Sequence, residues 1–302
     1  MKTVFWTGKL SPPLKLIVNT SALLAWFTGA ARNTSAMKQR LRNGYNGVYS
    51  DYVSHYDELG LNHFNKISTQ LLEKADIRGK EVLDLGCGTG ILSLLALEKG
   101  AAKMVCSDIS KNMIDQCRAK IASKGYSDKV IEFHENDAES LPFADNSVDV
   151  IISSLMLGFL PDQSKAVAEM TRVLRPGGTI AISTHGPNYF IEAIEGLLKA
   201  MTMQYFLGYR FEFWPRKEDD IKNIFVKFGL ENIVTRELTS VNNFENGGKA
   251  FDFFASVSSL WWYDKLPTEL REKEKTKTRE YFERKRITQI TSDVIFAYAT
   301  KK

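Results

Sequence analysis

The chain has 302 residues, 44% hydrophobic and 25% charged, with 40 basic against 36 acidic side chains. Such a composition excludes a disordered or low-complexity chain and allows a sizeable core. The net charge of +4 is unevenly placed: residues 1–50 hold seven basic side chains and no acid. The remaining body is therefore slightly acidic, without the basic stripe that nucleic-acid binding requires.

Residues 14–31, LKLIVNTSALLAWFTGAA, are mostly apolar but interrupted by Lys15, Asn19, Thr20, Ser21 and Thr28. A spanning helix needs about 20 predominantly apolar residues. Three readings stand side by side. Residues 1–44 make peripheral membrane contact through an amphipathic helix, or they are a cleaved targeting peptide addressing an organelle, or they cover the protein's own core. The expected division is a basic, apolar extension over 1–44 and one domain over 45–302.

From residue 80 onward short β-branched runs alternate with helical periods. Strands are expected at 81–86, 102–108, 129–137, 147–154 and 178–185, with helices at 91–100, 111–125 and about 162–174. RPGG, Arg175 to Gly178, should close the last of these helices and turn into the fifth strand. Residues 187–214 then break the rhythm with an aromatic-rich insertion. A helix at 217–230 and a strand at 231–238 resume it, and a second aromatic-rich, irregular insertion follows at about 243–286. The strand at 292–301 ends the pattern. The charged stretch 268–286 alternates signs and reads as a solvated helical face. Strands separated by helices of this length predict an α/β fold: a doubly wound, mostly parallel seven-stranded sheet with helices on both faces.

Cys87, Cys106 and Cys117 form no CxxC pair and are odd in number. They suggest neither a metal site nor a disulfide framework, and fit reduced, buried thiols in an intracellular protein. Localisation is accordingly expected to be cytoplasmic or peripheral on a membrane.

EVLDLGCGTG, residues 81–90, places Gly86, Gly88 and Gly90 after the first strand. Ligands of open α/β sheets bind at the carboxyl ends of strands, where glycine lets backbone approach them. A dinucleotide fingerprint needs a further glycine where Ile91 stands, so the pattern is G-x-G-x-G. Twenty residues beyond Gly88 the second strand ends in Asp108, placed to accept from both hydroxyls of a ribose.

Together VLDLGCGTG, CSDIS, ENDAESLPFADNSVDVIISS and RVLRPGG resemble a class I S-adenosylmethionine-dependent methyltransferase of Rossmann-like fold. Within that superfamily they are similar to the type 11 group, which includes the ubiquinone and menaquinone C-methyltransferases. The resemblance covers about residues 45–185. It implies S-adenosylmethionine as cofactor, with Asp84 near its ammonium and Gly86, Cys87, Gly88 and Gly90 around its methionine portion. It further implies Asp108 on the ribose, Ile109 and Met113 beside the adenine, and Asp137 and Ala138 at its edge. Ser153 to Leu155 would line the mouth where the methyl leaves. YSDYVSHYDELG, residues 49–60, is similar to the family's helix that closes over the cofactor, through Tyr49 and Tyr56. Tyr49, Tyr52 and Tyr56 also share one helical face.

A methyl on sulfonium is already activated, so the protein's task is alignment and exclusion of water. His185, at the tip of the fifth strand, and His55 are the candidates for a base or substrate contact. His63 and His134 are read as structural. SSLMLGFL after the fourth strand lacks the Asn/Asp-Pro-Pro-aromatic pattern of nucleobase amino methylation. Phe190, Phe206, Phe213, Phe254, Trp261 and Trp262 would roof an apolar pocket. The expected partner is a small hydrophobic acceptor such as a lipid, quinone or isoprenoid. A soluble polar metabolite, or a cofactor-binding protein without catalysis, is the alternative.

Overall fold

The structure is a computed structural model and describes residues 34–46, 62–126, 130–200, 217–257 and 268–302. Tyr49, His55, Tyr56, Phe206, Phe213, Trp261, Trp262 and residues 1–33 lie outside these.

Among the described residues seven strands form one sheet: β1 (Glu81–Leu85), β2 (Lys103–Asp108), β3 (Ile131–Glu135), β4 (Val148–Ser154), β5 (Leu174–His185), β6 (Leu230–Asn243) and β7 (Gln289–Lys301). Their order is β3-β2-β1-β4-β5-β7-β6, and only β7 runs against its neighbours. The helices are α1 (Thr34–Asn46), α2 (62–72), α3 (Ile91–Glu98), α4 (Lys111–Ser123), α5 (Gln163–Val173), α6 (Ile191–Ala200), α7 (Glu218–Lys227), α8 (Gly247–Val257) and α9 (Thr268–Lys285). The expected mostly parallel, doubly wound sheet is present.

Successive strand side chains point to opposite faces, and the core divides accordingly. Val82 joins Leu71, Leu92, Ile114, Phe190 and Phe296 on one face. Leu83 joins Ile151, Val167, Met170 and Phe225 on the other. Both faces being covered, the parallel strands read as nearly unbroken apolar runs. Strand order reverses between β1 and β4, which opens a crevice beyond their carboxyl ends.

Several expectations need correction. α5 stops at Val173 and Leu174 is already extended, so RPGG lies inside β5 as an irregular bulge between the pairings Val148–Leu174 and Val150–Thr179. A side chain at Gly178 would sit 2.7 Å from the Asp149 carbonyl, which explains why the strand can cross there only with glycine. Among its described residues the second insertion holds, besides the expected charged helix α9, a further helix, α8, and β6 runs on to Asn243. α9 is not solvated all round. Glu274, Thr278 and Phe282, four residues apart, form a buried stripe, and the Phe282 ring packs 5.4 Å from Phe251 and 6.2 Å from Phe254. α1, at the end of the expected extension, packs on α4.

The chain after β5 is fastened to β7. Gly186 donates to the Asp293 carbonyl at 2.6 Å, Asn188 donates to the Asp293 carboxylate at 3.0 Å, and Phe190 donates to the Thr291 carbonyl at 2.7 Å. The Glu192 carboxylate accepts from the Thr291 amide at 2.8 Å. These bonds fix Tyr189 beside the crevice.

Candidate functional site

The glycine turn is held from below by β2. Gly86 and Cys87 donate to the Ser107 carbonyl at 2.8 and 3.0 Å, and Gly88 donates to Asp108 Oδ2 at 3.0 Å. All three glycines have positive φ, where other residues are strained, but their surroundings differ. A side chain at Gly88 would meet nothing within 4 Å, and Gly88 lines the cavity. At Gly90, the N-cap of α3, it would lie 2.6 Å from Cys117 Sγ. Gly90 therefore serves helix packing and is not among the cavity-lining residues.

Asp84 is fully buried at the cavity floor. Its Oδ2 accepts from Ser93 Oγ at 2.5 Å, and its Oδ1 has no hydrogen-bond partner among the described residues. Burial pushes its carboxyl up to about 7, the Ser93 hydrogen bond working against this and the charge of Asp108 with it. A buried, half-satisfied carboxylate is costly unless something donates to it. An ammonium group fits that atom.

Asp108 Oδ1 accepts from the Ser110 amide at 3.0 Å, and burial raises its pKa against these backbone bonds. Ile109, Met113 and Ala138 provide apolar wall beside it. Asp137 caps its own turn, Oδ1 accepting from the Glu139 amide at 2.9 Å, while Oδ2 pairs with Lys38 Nζ at 2.6 Å. Against the hydrogen bond with Cys117, which lowers it, burial and neighbouring charges push the Cys87 thiol up to about 12. Cys87 is a neutral wall atom rather than a nucleophile.

Across the crevice, Leu155 adopts φ 56° and donates to the Ser183 carbonyl at 2.9 Å. Met156, Phe159 and Leu160 continue the wall around a short 3₁₀ turn, Leu157–Phe159. Ser153 does not reach the cavity. Its hydroxyl is turned into the sheet and donates to the Leu85 carbonyl at 2.7 Å, whereas Ser154, one residue on, lines the space. Phe64, Ser68, His185, Tyr189 and Val257 extend this lining. His185 is 3% exposed and meets Tyr189 edge to face at 4.6 Å and Phe159 at 5.2 Å. Burial, reinforced by His63, lowers its pKa to about 3, so its imidazole is neutral at ordinary pH. His63 lies behind this wall, with Nε2 2.9 Å from the Tyr189 hydroxyl. His134 sits on β3, 3.3 Å from Glu132. Of the expected roof, Phe190 and Phe254 are fully buried beneath the wall and do not line it.

Lys38, Leu41 and Tyr45 of α1 complete the lining of the cavity beside Asp137. Their spacing of three and four residues was a legible helical face. For Val257 and Tyr189 no local signal exists.

A crevice at the strand-order reversal, floored by a G-x-G-x-G turn and two strand-end carboxylates, stands where ligands of open α/β sheets bind. The methyltransferase-domain family matches residues 83–182. Methyltransferase GfsG of Streptomyces halstedii is 37% identical over 119 residues, 39% of this chain and 42% of that protein. Ubiquinone/menaquinone biosynthesis C-methyltransferase UbiE of Hahella chejuensis is 35% identical over 144 residues, 45% of this chain and 57% of that one. The chain thus spans well under two thirds of the length of these curated relatives. Among solved structures, magnesium protoporphyrin IX methyltransferase of Synechocystis, determined with bound S-adenosylhomocysteine, shares the fold at TM-score 0.54. It is 14% identical, over 88% of this chain and 100% of that one. Over these residues the chain is similar to class I S-adenosylmethionine-dependent methyltransferases.

Proposed function

We propose that this protein transfers a methyl group from S-adenosylmethionine to a small, predominantly apolar acceptor. The observation that carries this reading is the division of the cavity. One wall is carboxylate and glycine backbone, and the facing wall, formed by Phe64, Phe159, His185, Tyr189 and Val257, holds no ionised side chain. The likeness to UbiE supports the same reading.

S-adenosylmethionine, when bound, supplies a methyl group already activated on positively charged sulfur. Asp84 Oδ1 would receive the ammonium group, and the open face of Gly88 would admit the methionine chain. Asp108 would hold the ribose, with Ile109, Met113 and Ala138 against the base. The aromatic wall orients the acceptor and excludes water, which favours displacement over hydrolysis. His185 acts there as a hydrogen-bonding contact rather than a strong base, because holding a proton at pH 7 with a pKa of about 3 costs roughly 5 kcal/mol. The basic, apolar extension over residues 1–44 would make the membrane contact that delivers such an acceptor, and no helix among the described residues is long and apolar enough to cross a membrane.

Calorimetric titration with S-adenosylhomocysteine, on the wild type and on Asp108→Ala, tests the cofactor half. Micromolar binding that is lost in the variant is expected; absence of wild-type binding would remove the reading. Apolar acceptors presented in detergent micelles, against soluble polar ones, then test the acceptor half.

A further inference from the structure

We infer that α1 is a strap over the nucleoside half of the cofactor site, and that Lys38 is the latch that sets how fast the cofactor leaves. The inference rests on the proposed placement of S-adenosylmethionine in this cavity. Among the described residues, one face of α1 makes the contacts with the rest of the site. Lys38 Nζ lies 2.6 Å from Asp137 Oδ2 and 2.7 Å from Glu139 Oε2. Arg42 Nε donates to the Ile109 carbonyl at 3.4 Å and lies 3.9 Å from Glu135. Asn46 Oδ1 accepts from Ser110 Oγ at 2.7 Å and from the Asn112 amide at 3.1 Å.

Asn46 therefore caps the first turn of α4 from outside, beside the turn's own cap, Ser110, whose hydroxyl accepts from Met113 at 3.2 Å. That turn carries Met113 and directly follows Asp108 and Ile109. The strap is bolted at both ends of the nucleoside wall, and Leu41 and Tyr45 face the cavity between the bolts.

Lys38 is the stronger bolt because of Glu139. The Glu139 carboxylate is 2% exposed, its Oε1 accepts from the Asp162 amide at 2.9 Å, and its Oε2 faces Lys38. A buried carboxylate that loses its cation bears the desolvation cost unrelieved, so this contact resists opening. Asp137, assigned by resemblance to the adenine edge, is also neutralised by Lys38. The lysine thereby sets the charge met by the base as well as the position of the strap.

The test compares wild type, Lys38→Met, Lys38→Arg and Glu139→Gln. Release of S-adenosylhomocysteine from immobilised protein should accelerate about tenfold in Lys38→Met, the loss expected for a charge-assisted hydrogen bond. Adenosine affinity should fall by the same factor, since the strap covers that half. Hydrogen exchange of the α1 amides in the ligand-free protein should rise in Lys38→Met, and Lys38→Arg should restore slow release. Glu139→Gln should shift release and exchange in the same direction, which covers a poorly folded Lys38 variant. Unchanged release and exchange in Lys38→Met overturn the inference alone. A wild type that binds no S-adenosylhomocysteine overturns the cofactor reading and the inference with it.

Discussion

Gly88 and Gly90 stand two residues apart in one motif, yet their substitution by alanine should fail in different ways. Both have positive φ, 53° and 86°, a conformation that costs an L-residue about 1–2 kcal/mol. At Gly88 that strain is the whole folding cost, because the added methyl meets nothing within 4 Å. At Gly90 the methyl would lie 2.6 Å from Cys117 Sγ and 3.2 Å from Cys117 Cα. The α4 backbone cannot rotate away as a side-chain tip could, so an overpacking cost of about 1–3 kcal/mol is added. Gly90→Ala should therefore lose about 2–5 kcal/mol against about 1–2 for Gly88→Ala, read from urea unfolding midpoints. Affinity should rank the other way. Gly88 lines the cavity, and its methyl would occupy room the ligand needs, so S-adenosylhomocysteine binding should weaken at least about tenfold. Gly90→Ala, measured where it is still folded, should bind close to normally. Equal stability loss in the two variants, or normal binding by Gly88→Ala, would refute this division of labour.

Asp84→Asn should remove a pH-dependent liability. The folded carboxyl titrates near 7 against an unfolded value near 3.8, so the native state holds the extra proton between those values. Its contribution to stability therefore falls as pH rises from about 4 to 7, by about 4 kcal/mol in total. Buried neutral His63 and His185, lowered to about 4 and about 3, act with the opposite sign, losing stability as pH falls below 6.5. The informative quantity is wild-type minus Asp84→Asn stability, which should decline across that window; a difference flat in pH counts against the assignment. Phe282→Ala should cost about 3–5 kcal/mol in urea unfolding, because its ring is fully buried against α8. A loss below about 1 kcal/mol would mean that the charged helix is not docked there.

The sequence alone determined the parts whose physics is local. Strand and helix periods from 81 to 185 fixed an α/β sheet, since burial on both faces demands continuous apolar strands and helices of crossover length between them. The glycine turn, Asp84 and Asp108 were legible for the same reason: they sit at strand ends, where any ligand of this architecture must approach.

Tertiary structure decided what depends on register and on partners far away in the chain. Ser153 and Ser154 are equivalent in sequence, and only the strand register turns one into the sheet and the other toward the cavity. The docked stripe of α9 was hidden because three buried residues carry little signal within so charged a helix. Asp137 was placed by resemblance at the adenine edge, and only the fold brings Lys38, from before the motif region, against it. Val257 and Tyr189 reach the crevice because the order β5-β7-β6 folds later segments back over the sheet. Local propensity cannot encode such a meeting, since contacts of large sequence separation are selected by the packing of the whole core.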